Sequence, residues 1–367
     1  MDFGPTGAQE ELRGRIRRFL AEVSPSAEVR RLMETPSGSD PAVWERLAVE
    51  MGLPGLHLPV SVGGAGLGWV ELAIALEEAG AVLLCAPLLA TATAAAVILG
   101  ADDADRAGGI LPAIAAGRCV ATLAVAEDAG RWDASGVTTR ALRSPGGRWR
   151  IEGHKSYVVD GATADLLVVA ARHDGGGTGL FLVDGDAPGL ARQPLATVDQ
   201  TRKQARLVLS ATPARPLPGV SLAVALDLAA VALAAEQVGG AQRCLDAAVD
   251  HAGRRIQFGR PIGSFQAVKH LCADMLLELE SARSAAFYAA RAAARAGADL
   301  PEAAAVAQAC CSDAYVRVAT DSLHVHGGLG FTWDHDAQLH YKRARSSRQL
   351  FGDPGHHREL LARHLGF

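Results

Sequence analysis

The chain has 367 residues and a formal net charge of −4, from 36 basic and 40 acidic side chains. Charges of both signs are interspersed, which argues against nucleic acid or a membrane surface as a partner. A hydrophobic share of 49% suffices for buried cores in two or three domains. The start of the chain, Met1–Pro5, has no basic or apolar segment, and the six cysteines show no C-x-x-C spacing. These features predict a cytoplasmic protein with reduced thiols.

The first part of the chain, residues 1–112, predicts a helical domain. Apolar positions recur at helical spacing in three segments: Glu11–Val23, Pro41–Met51 after an Asp40 cap, and Val70–Gly80. The apolar stretch Ala79–Leu99 is broken by Gly80 and Pro87, so it predicts a buried helix pair and not a membrane span. The glycine loop Val62–Gly68 follows no strand, which favours a turn between helices over a dinucleotide-binding loop.

Residues 113–218 change to the period of two that is typical of strands. The turn clusters Ser144–Gly147 and Asp174–Gly177 separate short apolar segments and predict hairpins. The proline-rich segment Thr212–Pro218 predicts a linker that closes this β domain. The predicted strand segments are Cys119–Ala126, Val137–Leu142, Trp149–Ile151, Leu166–Ala171 and Leu180–Val183.

Residues 219–367 return to the helical period in long segments, which predicts an antiparallel four-helix bundle. A short last helix begins at Pro354, with Asp353 placed to cap it. The predicted fold is therefore α+β and multidomain: a helical domain, a β-barrel-like domain and a helix bundle. The predicted long helices are Ser221–Ala252, Ser264–Ala296, Pro301–Val325 and His335–Leu350.

Two separated motifs in this last domain carry the most specific signal. The first runs Arg-Ile-Gln-Phe-Gly-Arg-Pro-Ile-Gly-Ser-Phe-Gln over residues 255–266, and the second runs His-Val-His-Gly-Gly-Leu-Gly-Phe over residues 324–331. Together with the helices between them, they resemble the C-terminal domain of the acyl-CoA dehydrogenase family of flavoproteins. The resemblance extends over nearly the whole chain, including the segment Leu53–Pro59 and the pair Glu77-Glu78 in the helical domain.

The resemblance implies FAD as the cofactor, bound between subunits. Arg255 would reach the pyrophosphate of a neighbouring subunit's flavin, since a diphosphate favours a permanently charged fork of donors. Phe258 would pack against the adenosine part, with Gln257 and Gln266 beside it. The alternative for Arg255 is a surface arginine near a helix end.

The second motif corresponds to the family's Gln-x-x-Gly-Gly, with His324 in place of the glutamine. Gly327 and Gly328 would allow the cofactor to approach the backbone without an intervening Cβ. A helix that ends in a glycine C-cap explains Gly327 equally well. In the β domain, Tyr157 stands where the family has tryptophan beside the flavin. There Ala126–Trp132 retains one glutamate but lacks the hydroxyls of the family's flavin-binding segment.

The family's catalytic base is missing from both of its usual positions. The resemblance places Phe351 at the glutamate of the Tyr-Glu-Gly-Thr segment, and Ala229 at the position that some relatives use instead. Two carboxylates are candidates to replace it: Glu236, in an apolar run on the same helix face as Ala229, and Asp353. The alternatives are a buried structural carboxylate for Glu236 and a helix N-cap for Asp353.

The resemblance implies α,β-dehydrogenation of an acyl-CoA thioester, with hydride transfer to FAD, in a tetramer that passes electrons to electron-transfer flavoprotein or a similar acceptor. The missing glutamate and the altered β domain favour a heterotetramer in which a paralogous partner supplies the base. Such assemblies act on bulky acyl-CoA substrates such as sterol side chains, while other members act in fatty acid metabolism. Two alternatives stay open: a self-sufficient homotetramer with a displaced base, and a non-catalytic scaffold subunit.

Histidines occur in two close pairs near the C-terminus: His335 with His340, and His356 with His357. Their spacing and the lack of partner carboxylates predict no metal site. Solvated histidines at helix ends are the expectation.

Overall fold

The structure is a computed structural model that describes residues 4–102, 109–144 and 146–367. The first residues of the predicted helical domain, and Pro145 of the predicted turn cluster, lie outside the described residues. The chain forms two compact units, each built from separate stretches. The bundle unit contains the described residues up to 30 together with 69–84 and 230–367, and the barrel unit contains residues 31–68 and those described between 85 and 229.

Six helices precede the first strand in the described part of the chain. The predicted helices are confirmed, with Asp40 Oδ1 accepting a hydrogen bond from Ala42 N–H at 2.9 Å as the expected cap. Two helices that the sequence pattern did not indicate, α2 and α6, are short, so their apolar period is hard to recognise. The helices are α1 (Gly7–Val23), α2 (Ser26–Met33), α3 (Pro41–Val49), α4 (Trp69–Ala81), α5 (Leu88–Leu99) and α6 (Ile110–Ala115).

Three long helices and two short ones follow the last strand of the sheet. They are α7 (Leu222–Arg254), α8 (Gln266–Arg295), α9 (Leu300–His326), α10 (Ala337–Ser347) and α11 (Pro354–His364). Helix α7 is long and apolar enough to cross a bilayer, but 78% of its most apolar 18-residue window is buried inside the protein. That burial is typical of a core helix.

Helices α4 and α7 approach each other closely through glycines. A Cβ built on Gly239 of α7 would overlap the carbonyl oxygen of Glu77, and one built on Gly80 of α4 would overlap the carbonyl oxygen of Glu236. Each glycine therefore faces the backbone of the other helix. The ring of Tyr315 occupies the space next to Gly240 in the same way. The bundle unit thus depends on glycines in the middle of α7, where propensity alone disfavours them.

The barrel unit contains a seven-stranded mixed sheet. Strand β4 pairs with β2 and β5, β5 and β3 both pair with β7, and β2 pairs with β3, so five strands close into a ring. Strand β1 adds to β4, and β6 adds to β7. The strands are β1 (Ala121–Ala124), β2 (Arg140–Arg143), β3 (Trp149–Val159), β4 (Leu166–His173), β5 (Thr178–Asp184), β6 (Leu190–Pro194) and β7 (Gln204–Leu217).

The prediction of a linker at Thr212–Pro218 was wrong. Most of this segment is the end of β7, where Pro213 lies opposite Arg150 and Pro216 lies opposite Phe181. Proline has no backbone N–H to donate, but it can adopt the extended backbone angles of a strand. A strand can therefore contain proline at positions where few pairing hydrogen bonds are formed. Earlier in the same strand, Leu207 and Leu209 are buried in the barrel core.

Candidate functional site

The segment after α7 forms a tight hairpin that presents an aromatic ring to solvent. The two-residue strands β8 (Ile256–Gln257) and β9 (Arg260–Pro261) pair, and the turn residues Phe258 and Gly259 have φ of 52° and 75°. Two positive φ values in succession match a type I′ turn. Phenylalanine is unfavourable in that region, and Phe258 is 92% exposed. Backbone strain combined with an exposed ring indicates a contact surface.

Arg255 stands at the base of this hairpin. Its backbone N–H donates to His251 O at 2.8 Å, and its carbonyl accepts from Ile262 N–H at 2.8 Å. The side chain is exposed and forms no ion pair with any carboxylate in the described residues. The amides of Gln257 and Gln266 are exposed at the same hairpin. This segment therefore has a fixed backbone and carries a guanidinium that forms no ion pair with the described residues.

The end of α9 is open where the second motif lies. Gly327 caps the helix with φ of 60°, a conformation that favours glycine. A Cβ on Gly327 or Gly328 would meet no atom within 4 Å. Packing within the described chain therefore does not explain the missing side chain at Gly328. His324 is mostly exposed, with Nδ1 at 3.7 Å from Asp321 Oδ1.

The two motifs lie at the same end of the bundle unit. The rings of His251, near the end of α7, and His326, at the end of α9, have centroids 4.5 Å apart. The structure thus groups seven of the eight predicted flavin-binding residues: Arg255, Gln257, Phe258, Gln266, His324, Gly327 and Gly328. The eighth, Tyr157, lies on β3 in the barrel unit, with φ of 59° and 39% exposure.

Glu236, the first candidate base, forms a buried ion pair. Its Oε1 accepts from Arg343 Nη1 at 2.7 Å, and the two residues are 7% and 3% exposed. Arg343 lies on α10, so the pair joins two helices of the bundle unit. The geometry is that of the structural alternative, and a catalytic role for Glu236 stays a prediction.

Asp353, the second candidate, caps α11. Its Oδ1 accepts from His356 N–H at 2.8 Å, and Pro354 occupies the first helical position. We expect Asp353→Asn to change the free energy of unfolding by less than about 0.5 kcal/mol, because asparagine caps equally well. Asp353→Ala is expected to cost about 1 kcal/mol. Urea unfolding of both variants measures the difference. Equal losses in the two would exclude the capping role.

Phe351, at the position of the missing glutamate, lies in a well-held turn. Its side chain is 5% exposed, and its φ of 59° is again unusual for a residue other than glycine. His357 Nε2 donates to Phe351 O at 3.0 Å, and Gln308 Nε2 donates to Leu350 O at 3.1 Å. The turn therefore keeps a fixed backbone although the side chain has no acid–base chemistry.

The glutamate that the β domain retains, Glu127, is structural. It accepts from Thr138 N–H at 2.8 Å, from Thr139 N–H at 2.9 Å and from Lys155 Nζ at 3.0 Å. Burial alone would raise the pKa of Glu127, but these hydrogen bonds and the Lys155 charge outweigh it and lower the pKa to about 2. Burial lowers the pKa of Lys155 to about 8. The pair joins β3 to the segments before and after Glu127 inside the barrel unit.

The expectation of solvated histidines was wrong at two positions. His340 and His357 are 5% and 4% exposed, because each ring packs inside the bundle unit and bonds a buried group. Burial lowers the pKa of His357 to about 4. Among the described residues, no group of three or more His, Cys, Asp or Glu side chains is arranged to hold a metal ion.

Sequence reasoning passed over Asp227, in the second turn of α7. This carboxylate is partly buried and forms no hydrogen bond or ion pair with another described residue. Burial raises the pKa of Asp227 to about 7. An ionisable group with such a pKa suits a proton acceptor at neutral pH. Its only signal in the sequence is an aspartate within an apolar helix.

The comparisons with known proteins agree on one family. Family models match three consecutive ranges: "Acyl-CoA dehydrogenase, N-terminal domain" at residues 6–118, "middle domain" at 122–211 and "C-terminal domain" at 220–366. Acyl-CoA dehydrogenase IpdE2 of Mycobacterium tuberculosis is 34% identical over 98% of this chain and 96% of that protein.

Two solved structures share the whole fold. A variant of the Tcur3481-Tcur3483 steroid ACAD superposes with a TM-score of 0.91 and 32% identity, over 98% of this chain and 97% of that one. The ChsE4-ChsE5 complex from Mycobacterium tuberculosis superposes with a TM-score of 0.91 and 28% identity, over 100% and 99%. The chain described here belongs to the acyl-CoA dehydrogenase family, whose members are oxidoreductases that act on CH–CH bonds.

Proposed function

We propose that this chain is the base-free subunit of a heteromeric FAD-dependent acyl-CoA dehydrogenase. Phe351 at the position of the catalytic glutamate is the observation that carries the proposal. A buried phenylalanine in a rigid turn accepts no proton, so the α-proton of a thioester requires a base from elsewhere. A paralogous partner subunit would supply it. The similarity to the Tcur3481-Tcur3483 and ChsE4-ChsE5 complexes supports two different subunits.

The residues at the open end of the bundle unit fit a flavin dinucleotide. Arg255 offers an unpaired guanidinium, which suits a pyrophosphate. Phe258 offers an exposed ring on a strained turn, and Gly328 leaves backbone accessible where no neighbour requires glycine. FAD bound there would accept the hydride. The chain's own residues would position the cofactor's phosphates and exclude water from its adenosine part.

The same proposal includes the substrate class and the assembly. Similarity to a protein described as a steroid ACAD supports a steroid-derived acyl-CoA thioester over a simple fatty acyl-CoA. We also propose that the complex is a tetramer and that electron-transfer flavoprotein or a similar protein accepts its electrons. The three domains would span residues 1–112, 113–218 and 219–367. A cytoplasmic location also belongs to this proposal, since all six cysteines are free thiols.

The visible absorption spectrum tests the proposal. The purified chain is compared alone and after co-expression with an acyl-CoA dehydrogenase paralogue. We expect a colourless chain alone and a yellow complex that is bleached by a steroid-derived acyl-CoA. A chain that is yellow and bleached without any partner would refute the heteromeric assignment. A chain that stays colourless with every paralogue would support the scaffold alternative.

A variant of Arg255 tests the cofactor site. Arg255→Gln removes the charge near the proposed pyrophosphate, so we expect the complex to bind FAD about tenfold to hundredfold more weakly. Fluorescence titration of FAD measures the change. The matched control is Arg254→Gln, because Arg254 is the neighbouring exposed arginine and is already paired with Asp250. Equal effects of the two substitutions would remove Arg255 from the site.

A self-sufficient dehydrogenase is the second candidate, and Asp227 is the observation that favours it. Its carboxylate is unpaired within the described residues, and burial raises its pKa to about 7. Helical geometry limits this role, because residues two apart on a helix point about 200° apart and Asp227 cannot replace a base at Ala229 directly. Activity of the lone chain that is abolished by Asp227→Asn, with FAD binding intact, would establish this candidate.

A further inference from the structure

Three histidine rings lie in a row at the open end of the bundle unit, tilted by 36° and 53° between neighbours. The centroids of His251 and His326 are 4.5 Å apart, and those of His326 and His335 are also 4.5 Å apart. We call these three residues the histidine stack. The middle ring, His326, is 7% exposed. The stack connects the end of α7, the end of α9 and the loop before α10, and nothing in the proposed reaction uses it.

Hydrogen bonds fix one proton position in His326 and assign the neutral form to His335. His326 Nδ1 lies 2.7 Å from Ser322 O, so this nitrogen carries the proton. His335 Nδ1 accepts the backbone N–H of Ala337 at 3.2 Å, so this nitrogen carries none. Protonation of His335 at Nδ1 would remove the acceptor for the first turn of α10. A charged His335 is therefore incompatible with the present contact.

The two carboxylates nearest the stack favour imidazolium, but each is already engaged by an arginine. Asp250 accepts from Arg254 Nε at 2.6 Å, and Asp336 accepts from Arg30 at 2.7 Å and from Ser26 at 2.6 Å.

The other charged and titratable groups around the stack also provide no ion-pair partner for a charged histidine. Arg255 adds a positive charge close to His251, and His340 is engaged with Tyr315 OH. Asp246 accepts from Gln242, while Asp334 and Arg243 are exposed and screened by water. No carboxylate in the described residues forms an ion pair with the stack. Burial and then the neighbouring histidines lower the pKa of both His251 and His335 below the usual 6.5.

We propose that the histidine stack is a pH-sensitive clamp on the two adjoining segments, 255–262 and 327–333. When neutral, the stacked rings hold the ends of α7 and α9 together. When two adjacent rings are charged, they repel, and the contact of His335 with Ala337 is lost. Acidification then opens these two segments while the helices of the bundle stay folded.

The sign and size of the effect follow from linkage. A histidine whose pKa is lowered in the closed form stabilises that form fully above the pKa of the open form, about 6.5. This contribution is lost as the pH falls below 6.5. At pH 5.5, one unit lower, each histidine released shifts the equilibrium by at most roughly tenfold towards the open form. Two released histidines shift it by at most roughly a hundredfold.

Hydrogen–deuterium exchange of the full chain, without flavin or partner, tests the proposal at pH 7.5 and pH 5.5. Amide rates are divided by the intrinsic rates at each pH. We expect the protection of segments 255–262 and 327–333 to fall severalfold at pH 5.5, by up to roughly a hundredfold. Protection in the centres of α8 and α9 should change less than about twofold. Parallel losses in all four regions, or no loss, would overturn the proposal.

Exchange at the imidazole C2 position measures the pKa of each histidine in the same samples. His251 and His335 should titrate below 6.5, and His326→Gln should move both towards 6.5. If His326→Gln unfolds the chain, His335→Gln provides the same test on His251, whose pKa His335 also lowers. The matched control, His364→Gln on the exposed end of α11, should leave both values unchanged. Titration at or above 6.5 in the unmodified chain would refute the clamp.

These measurements do not depend on the proposed function, because they require neither a cofactor nor activity. If the histidine clamp and the proposed flavin site are both correct, FAD should dissociate more readily below pH 6.5, because segment 255–262 carries Arg255. A colourless complex with a working clamp would separate failure of the flavin assignment from failure of this inference.

Discussion

Replacing Gly239 by alanine is expected to lower the free energy of unfolding by about 3 kcal/mol. The new methyl group would overlap the backbone carbonyl of Glu77 and lie 3.0 Å from Ala81 N. A backbone carbonyl within a helix cannot rotate away as a side chain can, so α4 and α7 must separate. Overpacking usually costs about 1 to 3 kcal/mol, and a clash with a rigid backbone carbonyl should exceed that range at about 4 kcal/mol, of which the better helix propensity of alanine returns about 1 kcal/mol.

The same helix supplies a matched control. Gly253 also lies in α7, but a Cβ there would meet no atom within 4 Å. Gly253→Ala should therefore raise the free energy of unfolding by up to about 1 kcal/mol. Urea denaturation of both variants, monitored by far-ultraviolet circular dichroism, measures the two values. Effects of the same sign would show that the close approach of α4 and α7 does not limit stability.

This glycine also shows what the sequence alone can and cannot predict. The apolar period predicted the helix through residue 239 correctly, because periodicity depends on neighbours within one segment. The reason for Gly239 depends on α4, whose Glu77 is more than 150 residues earlier in the chain. A single sequence contains no signal for such a pairing. The extent of β7 was missed for a related reason, since its partners β3 and β5 determine that strand despite two prolines.

The candidate site divides in the same way. Local motifs predicted Arg255, Phe258, Gln266 and Gly327, which the structure brings to one end of the bundle unit. The pairing of Glu236 with Arg343 and the stacking of His251 on His326 join distant segments, so spacing could not indicate them. Sequence reasoning treated His335 as a solvated residue because it considered only near neighbours. Roles that depend on one segment were thus accessible, and roles that depend on assembly of the helices were not.

Glu236→Gln is expected to lower the free energy of unfolding by about 3 to 5 kcal/mol, because it removes the carboxylate charge that pairs with the buried Arg343. The amide cannot compensate the charge of a guanidinium that is 3% exposed. The matched control is Glu359→Gln, which breaks an exposed pair with Arg363 in α11. That substitution should cost at most about 0.5 kcal/mol. Urea denaturation compares the two.

The double variant Glu236→Leu with Arg343→Met separates a structural role from a catalytic one. Removing both charges leaves no unpaired ion, so apolar side chains should recover most of the stability that Glu236→Gln loses. If the partner subunit supplies the base, the refolded complex should also keep its activity per bound FAD. A stable double variant that binds FAD but has lost activity would instead make Glu236 the base. Because stability and activity are measured on one protein, the two roles of this carboxylate give opposite results.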